Sequence, residues 1–141
     1  MRRFILKDRY YMPNFIYASE WIELADRNLE TAKLLFRENH YTDVIAIELH
    51  QALEKTLKSI LAFNGIKILK THNILDLVNQ CGIYISLNDV DIDSLIEIND
   101  YYENTRYPGP KYSDPSLDEI SKNLQIVIDI FNKIAAYIKV S

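Results

Sequence analysis

Apolar residues recur every three or four positions over a long stretch near the end of the chain. The stripe consists of Ile120, Leu124, Val127, Phe131, Ile134 and Ile138. This spacing puts the side chains on one face of an α-helix. Two start signals precede it: Asp114 followed by Pro115, and the capping box of Ser116 with Glu119. The sequence therefore predicts a helix over about residues 117–138, which needs a partner surface to bury its apolar face.

Four earlier stretches also have helical spacing of apolar residues, bounded by residues that start or stop helices. Their predicted bounds are Ser19 to Glu38 or Asn39, Thr42 or Asp43 to Gly65, Thr71 to Gly82, and Asn88, Asp89 or Asp91 to Pro108. Strand-like alternation is confined to residues 83–87, too little to build a sheet. We expect an all-α fold in which the first two helices, joined by a short connection, pack antiparallel.

The predicted domain organisation is simple. Residues 1–17 form a basic and aromatic N-terminal arm, and residues 18–141 form one helical domain. In the last helix, Ile126, Ile128 and Ile130 lie partly off the main stripe. An apolar surface wider than one stripe suggests burial on two sides, so we expect a homodimer.

Charge and cysteine content exclude several functional classes. The net charge of −4 argues against broad, non-specific nucleic-acid binding but permits a local basic patch. Cys81 is the single cysteine, which excludes an internal disulfide and fits a reducing cytoplasm. Apolar runs are too short for a secretory signal or a membrane span, and the histidines lack metal-ligand spacing. We expect a cytoplasmic protein with no cofactor, no metal and no membrane contact.

The richest cluster of polar and aromatic side chains lies in residues 99–112, where Pro108 stops a helical run. Arg106 offers a planar fork for phosphate, Tyr102 and Tyr107 offer faces for base stacking, and Lys111 adds a second charge. The competing interpretation is structural: Arg106 pairs with Glu103 or Asp100 and the tyrosines belong to the core.

The second helix offers a polar edge that could join this site. Gln51, Lys55 and Lys58 lie on neighbouring positions of successive turns. The alternative is that Glu54 and Lys58 form an ordinary exposed ion pair. His72, near the start of the third helix, is expected to make a local hydrogen bond rather than to act as a catalyst.

Four pieces in a fixed order resemble the HEPN domain family (higher eukaryotes and prokaryotes nucleotide-binding), in its small stand-alone prokaryotic form. They are Trp21 to Ala25 with Asn28, Leu29 and Ala32; residues 46–61; Thr71 to Ile74 with Leu77 and Val78; and Tyr102 with Arg106, Tyr107 and Pro108. The resemblance implies an antiparallel up-and-down bundle of four main helices with one short additional helix, a homodimer, and action beside a minimal nucleotidyltransferase as a toxin–antitoxin or nucleotide-binding pair.

The resemblance also implies a catalytic motif that this chain only half retains. Many HEPN proteins are metal-independent ribonucleases whose arginine is followed, four to six residues later, by a histidine. Arg106 matches the arginine, but that gap leads to Lys111, Tyr112 or Ser113. Because 2′-hydroxyl attack needs a base near neutral pKa, enzymatic activity is left open, leaning against it.

The sequence thus favours a nucleotide- or RNA-phosphate-binding HEPN-like protein that uses Arg106, Tyr107, Tyr102 and Lys111, with help from the second helix. One alternative is a metal-independent, toxin-like ribonuclease in which Arg106 works with an atypical motif. Another is a non-catalytic protein-interaction module.

Overall fold

Helices make up all the regular secondary structure of residues 14–68 and 70–140, which the computed structural model describes. The five helices are α1 (Phe15–Arg37), α2 (Thr42–Phe63), α3 (Ile74–Cys81), α4 (Ile92–Asn104) and α5 (Leu117–Val140). The predicted all-α bundle of four main helices and one short helix is confirmed. Residues 83–87 contain turns and no strand, in line with their isolation in the sequence.

Helix α2 is the centre of the bundle, because it contacts each of the other four helices. Its apolar stripe is completely buried at Leu49, Leu53, Leu57 and Ile60. The C-terminal stripe of α5 is buried against the same core, for example at Ile134. Burial of large aliphatic side chains on this scale contributes about 1.5–3 kcal/mol each, and it is the main source of stability for the bundle.

Two helix starts differ from the sequence prediction, and a side-chain cap explains each. Helix α1 begins at Phe15, because the Asn14 side chain accepts a hydrogen bond from the Tyr17 amide at 2.9 Å. The prediction of Ser19 as N-cap was therefore wrong. Helix α3 is capped by Asn73 rather than by Thr71. In both cases an asparagine, a strong N-cap residue, occupies the position that was overlooked.

The ends of α4 and the start of α5 lie close to the predicted positions. Asp91 caps α4 and confirms one of three candidates, but α4 ends at Asn104 rather than at Pro108. The Ser116 hydroxyl accepts from the Glu119 amide at 3.1 Å, so Ser116 and not Asp114 starts α5.

Glycine and asparagine allow the other helix ends to turn. Gly65 follows α2 with a φ of 71° and Asn39 follows α1 with a φ of 55°, both in the left-handed region. Gly82 also ends its helix as predicted, but with an ordinary φ of −59°.

The extra apolar residues of α5 are accounted for within this chain. Ile130 is buried, and Ile126 and Ile128 are half-buried against the core. The wide apolar surface of α5 is therefore weaker support for a homodimer than the sequence suggested. Most of the predicted arm lies outside the described residues, and the division at residue 17 stays a prediction. No helix in the described part of the chain is both long and apolar enough to cross a bilayer.

Candidate functional site

Tyr102, near the end of α4, packs against two potentially reactive groups. The ring of His72 lies almost parallel to it, with 4.3 Å between centroids and 14° between planes. The guanidinium carbon of Arg106 lies 4.3 Å from the Tyr102 centroid. Both groups therefore lie against one tyrosine ring. Their centres are then no further apart than the sum of the two distances.

Glu54, on α2, connects His72 to a buried cation. His72 Nδ1 lies 3.1 Å from Glu54 Oε1, and Lys58 Nζ donates to Glu54 Oε2 at 2.9 Å. Burial raises the pKa of Glu54, but the hydrogen bonds from Lys58 and His72 outweigh it and hold the pKa below its usual value. An ionised carboxylate can only accept, so Nδ1 of His72 carries a proton and Nε2 of the neutral ring keeps its lone pair.

His50, one turn before Glu54, fixes the backbone of His72. Its Nε2 donates to the His72 carbonyl oxygen at 2.9 Å, and its ring packs on Tyr102 with 5.2 Å between centroids. Burial lowers the pKa of His50 to about 4, so the ring is neutral at pH 7. A neutral ring that donates from Nε2 has an unprotonated Nδ1, and this atom has no hydrogen-bond partner among the described residues.

The segment that carries His72 is held by helices on both sides. Asn99 of α4 accepts a hydrogen bond from the Ile74 amide at 2.8 Å, and the Asn73 cap accepts from the Asp76 amide at 3.0 Å. Together with the contact to His50, these bonds position the short segment before α3. His72 therefore lies in a loop, but hydrogen bonds to the neighbouring helices hold it in place as they would a helix residue.

Arg106 is cationic, half-buried and unpaired. Within residues 14–68 and 70–140 it makes no salt bridge, and its Nε atom is buried without a hydrogen-bond partner. The alternative pairing with Glu103 or Asp100 is therefore not observed. Stacking on Tyr102 fixes the guanidinium by a cation–π contact and leaves its hydrogen-bond donors for another partner.

The loop that follows Arg106 is tied to the start of α2. The Tyr112 hydroxyl donates to Asp43 at 2.5 Å, a bond that raises the pKa of Tyr112 to about 12. The Thr42 hydroxyl donates to Asp114 at 2.8 Å. These two bonds keep residues 108–114 beside the end of α4.

Two open clefts meet at Tyr102. The His72 cleft, of about 400 Å³, is lined by Lys70, Thr71, His72, Asn73, Asn99, Asp100, Tyr102, Glu103 and Asn104. The Tyr107 cleft, of about 520 Å³, is lined by residues 102–104 and 107–112. Lys70 and Lys111 place one lysine at each cleft, while Asp100 adds negative charge to the first cleft and Glu103 to both.

The structure brings four of the seven predicted ligand residues to this place. Tyr102 and Arg106 stack on each other, and exposed Tyr107 and Lys111 line the Tyr107 cleft. The α2 residues are placed differently: Lys55 donates to Asn28 at 2.7 Å, Lys58 is only 5% exposed, and Gln51 is half-buried. A ligand role for these three stays a prediction.

The alternative pairing of Glu54 with Lys58 is confirmed as an ion pair of 2.9 Å, but its exposure was wrong, since both side chains are buried. That error also hid the polar face of α2 that points to Tyr102. His50, Glu54 and Lys58 follow one another at intervals of four residues, a spacing that puts them on one helix face. His72 makes the local hydrogen bond that was expected of it, with Glu54 as its partner.

The family model for the HEPN domain matches residues 18–136. This chain therefore belongs to the HEPN domain family, as the motif order suggested. It is 28% identical over 114 residues to "Putative toxin MJ1304" of Methanocaldococcus jannaschii, an alignment that covers 79% of this chain and 74% of that protein.

Two solved structures have the same fold. TT1696 from Thermus thermophilus matches with a TM-score of 0.69 and 25% identity, over 85% of this chain and 97% of that one. ST0689, described as an archaeal HEPN homologue, matches with a TM-score of 0.64 and 23% identity, over 86% of this chain and 97% of that one.

Proposed function

We propose that this protein binds the phosphate groups of single-stranded RNA at Arg106. The observation that carries the proposal is the state of this side chain, which is held on Tyr102 at 4.3 Å and lacks a carboxylate partner among the described residues. A fixed guanidinium with free donors is suited to two parallel hydrogen bonds with a phosphate. A structural arginine in the same position would be expected to have its charge neutralised nearby.

The surroundings of Arg106 support a nucleic-acid ligand over a simple anion. Tyr107, the next residue along the chain, is 64% exposed and offers a ring for base stacking. Tyr102 already packs against His72 and Arg106, so its contribution is to position Arg106 rather than to stack on a base. Lys111, on the same cleft, adds a second positive charge for a neighbouring phosphate.

The toxin name of the relative supports RNA as the biological ligand, because it suggests a target in the cell rather than a metabolite. A single mononucleotide with the same phosphate chemistry would use Arg106 and Tyr107 only. A longer strand would also reach Lys111, so the dependence of affinity on length separates the two ligands.

The proposal also includes two protein partners, a minimal nucleotidyltransferase and a second copy of this chain. As in the toxin–antitoxin interpretation, the protein acts with a minimal nucleotidyltransferase partner and forms a homodimer. Large apolar side chains that remain exposed on α4, including Ile92 at 57%, support a protein contact on that helix. Light scattering on the purified chain tests the homodimer, and a monomer at micromolar concentration would contradict it.

RNA binding itself is tested with a fluorescent single-stranded RNA that carries 2′-O-methyl groups, which prevent cleavage. The Arg106→Gln variant is expected to bind about tenfold or more weakly, since a charged hydrogen bond of about 1.5–3 kcal/mol is lost. Arg27→Gln is the matched control, because Arg27 is exposed on α1 and pairs with Glu23 at 3.0 Å. Equal affinity for the wild type and Arg106→Gln would contradict the proposal.

A further inference from the structure

We infer that His72 is the proton-transfer group of a metal-independent RNA cleavage reaction at this site. The inference rests on the proposed RNA binding at Arg106 and adds a chemical step to it. Along the chain, Arg106 has no histidine at the spacing expected of a HEPN ribonuclease. In space, His72 and Arg106 pack against the same ring, that of Tyr102, each at 4.3 Å from its centroid.

The hydrogen bonds of His72 give it the form of a general base. Glu54 holds the proton on Nδ1 at 3.1 Å, so the lone pair of the neutral ring is on Nε2. The side chain of His72 is 53% exposed and lines the His72 cleft, within reach of a ligand. A carboxylate that orients an imidazole and stabilises its charged form is the arrangement of the catalytic triads. Glu54 and His50 are thus positioning residues.

The other basic groups at this place are occupied. His50 is 1% exposed, and its Nε2 is used by the His72 carbonyl. Lys58 is buried in its pair with Glu54. Lysine is in general a poor base near neutral pH, so the lysines that line the two clefts are not the candidates. Imidazole is the side chain that ordinarily exchanges a proton near pH 7.

The proposed step needs no oxidant, metal or second substrate. His72 Nε2 takes the proton of a ribose 2′-hydroxyl, and the 2′-oxygen forms a bond to the adjacent phosphorus. The bond from phosphorus to the 5′-oxygen breaks, and that oxygen takes a proton from water. Arg106 stabilises the negative charge that develops on the phosphate oxygens. The products are a 2′,3′-cyclic phosphate and a 5′-hydroxyl.

The geometry suits a phosphodiester that lies across the edge of Tyr102. The ring lines both clefts, so a strand that passes from one cleft to the other crosses this edge. The ribose of such a strand is placed at His72, in the first cleft. Arg106 lines an adjoining hollow of about 310 Å³, which shares Pro108, Gly109 and Tyr112 with the Tyr107 cleft and also has Asp43 in its lining. A phosphate at the Tyr107 end of the strand is therefore near Arg106, so that base and charge stabiliser act on different atoms of one linkage.

The test is cleavage of an end-labelled single-stranded RNA by the full chain in EDTA, with binding to the 2′-O-methyl RNA measured in parallel. His72→Gln is expected to reduce the cleavage rate by at least about a hundredfold while its RNA affinity stays within about twofold, because a general base contributes 10²–10⁴-fold. His40→Gln is the matched control, since His40 is an exposed histidine in the loop before α2. Arg106→Gln is expected to lose both binding and cleavage.

Three further readouts separate a base from a structural residue. The wild-type rate should rise with pH and then level off, and His72→Gln should lose this rise. Added imidazole should restore part of the cleavage by His72→Ala. A 2′-deoxy strand should bind without being cut.

Each outcome has a distinct meaning. Cleavage by His72→Gln at the wild-type rate overturns the role of His72. RNA that is bound by the wild type but remains intact overturns the inference and leaves the proposed binding function standing. Absence of binding overturns both.

Discussion

Two neighbouring tyrosines, Tyr101 and Tyr102, point in directions about 100° apart around α4 and have different surroundings. The Tyr101 hydroxyl is fully used: it donates to Glu119 at 2.6 Å and accepts from the Asn123 amide at 2.8 Å. Burial, followed by the bond to Glu119, raises the pKa of Tyr101 far above its usual value. Tyr102 instead packs against His72 and Arg106, whose polar atoms are only partly used.

The difference separates stability from function on a single helix. Around Tyr101, side-chain hydrogen bonds join α4 to α5, and one buried atom, Asn123 Oδ1, has no partner among the described residues. Around Tyr102, a base is oriented, Arg106 has no carboxylate partner in the described part of the chain, and two clefts open to solvent. A buried polar atom without a partner costs free energy on either side, so it is the open clefts beside the oriented base and the cation that point to a role beyond folding.

The strongest test of this comparison is to break the buried ion pair of Glu54 with Lys58, which lies next to His72. Replacing Glu54 by Gln leaves Lys58 buried without its counter-charge, and this should lower the free energy of unfolding by about 3–5 kcal/mol. Urea denaturation measures the change. Glu23→Gln is the control, because it breaks an exposed pair with Arg27 and should cost about 0.3–0.5 kcal/mol. Similar small losses for both variants would show that the buried ion pair does not stabilise the fold.

The next effect is a pH dependence that originates at His50. Burial lowers its pKa from 6.5 to about 4, so the unfolded chain binds the proton more readily than the folded one. The stabilisation is complete above the unfolded pKa and is lost as the pH falls from 6.5 towards 4, on the order of 3 kcal/mol in all.

Urea denaturation at about pH 7 and about pH 4.5 measures this loss. The lowered pKa of Glu54 acts in the same direction but at lower pH, so the wild type alone does not isolate His50. His50→Gln keeps an amide donor for the His72 carbonyl and removes the titrating ring. The variant should lose much less stability on acidification than the wild type, and parallel losses would rule out His50 as the source.

A smaller effect is expected on the Tyr101 side. Tyr101→Phe removes one hydroxyl and leaves Asn123 and Glu119 short of a partner, which should cost about 1–3 kcal/mol of stability. RNA affinity should not change. Thermal unfolding measures the stability, and fluorescence anisotropy measures the RNA affinity. Weaker RNA binding by this variant would contradict the assignment of Tyr101 to stability alone.

The smallest effect concerns Lys111. This exposed side chain should contribute one phosphate contact, so Lys111→Ala should reduce the slope of log affinity against log salt by about 0.7. Stability should be unchanged. The same anisotropy titration at several salt concentrations gives the slope, and an unaltered slope would place Lys111 outside the RNA path.

Periodicity was sufficient for the helices, because the stripes of α2 and α5 each mark one buried face. The bundle that these helices build was implied by the resemblance to the family. The N-cap residues were predicted less reliably. Ser19 and Thr71 were the expected caps, but Asn14 and Asn73 cap the two helices. Arg106 and Tyr102 could be found because they share one helical segment. The Glu54 and His72 pair could not, since it joins α2 to a segment that precedes α3, and only the packed bundle brings them within 3.1 Å.

The histidine signals in a proton NMR titration with 2′-O-methyl RNA test the central claim most directly. The chain has only three histidines, so each ring can be assigned by substitution. The account predicts that the His72 signals shift strongly on binding, that those of buried His50 shift less, and that those of His40 stay unchanged. RNA that binds while the His72 signals stay unchanged would place the nucleic-acid site elsewhere on the molecule.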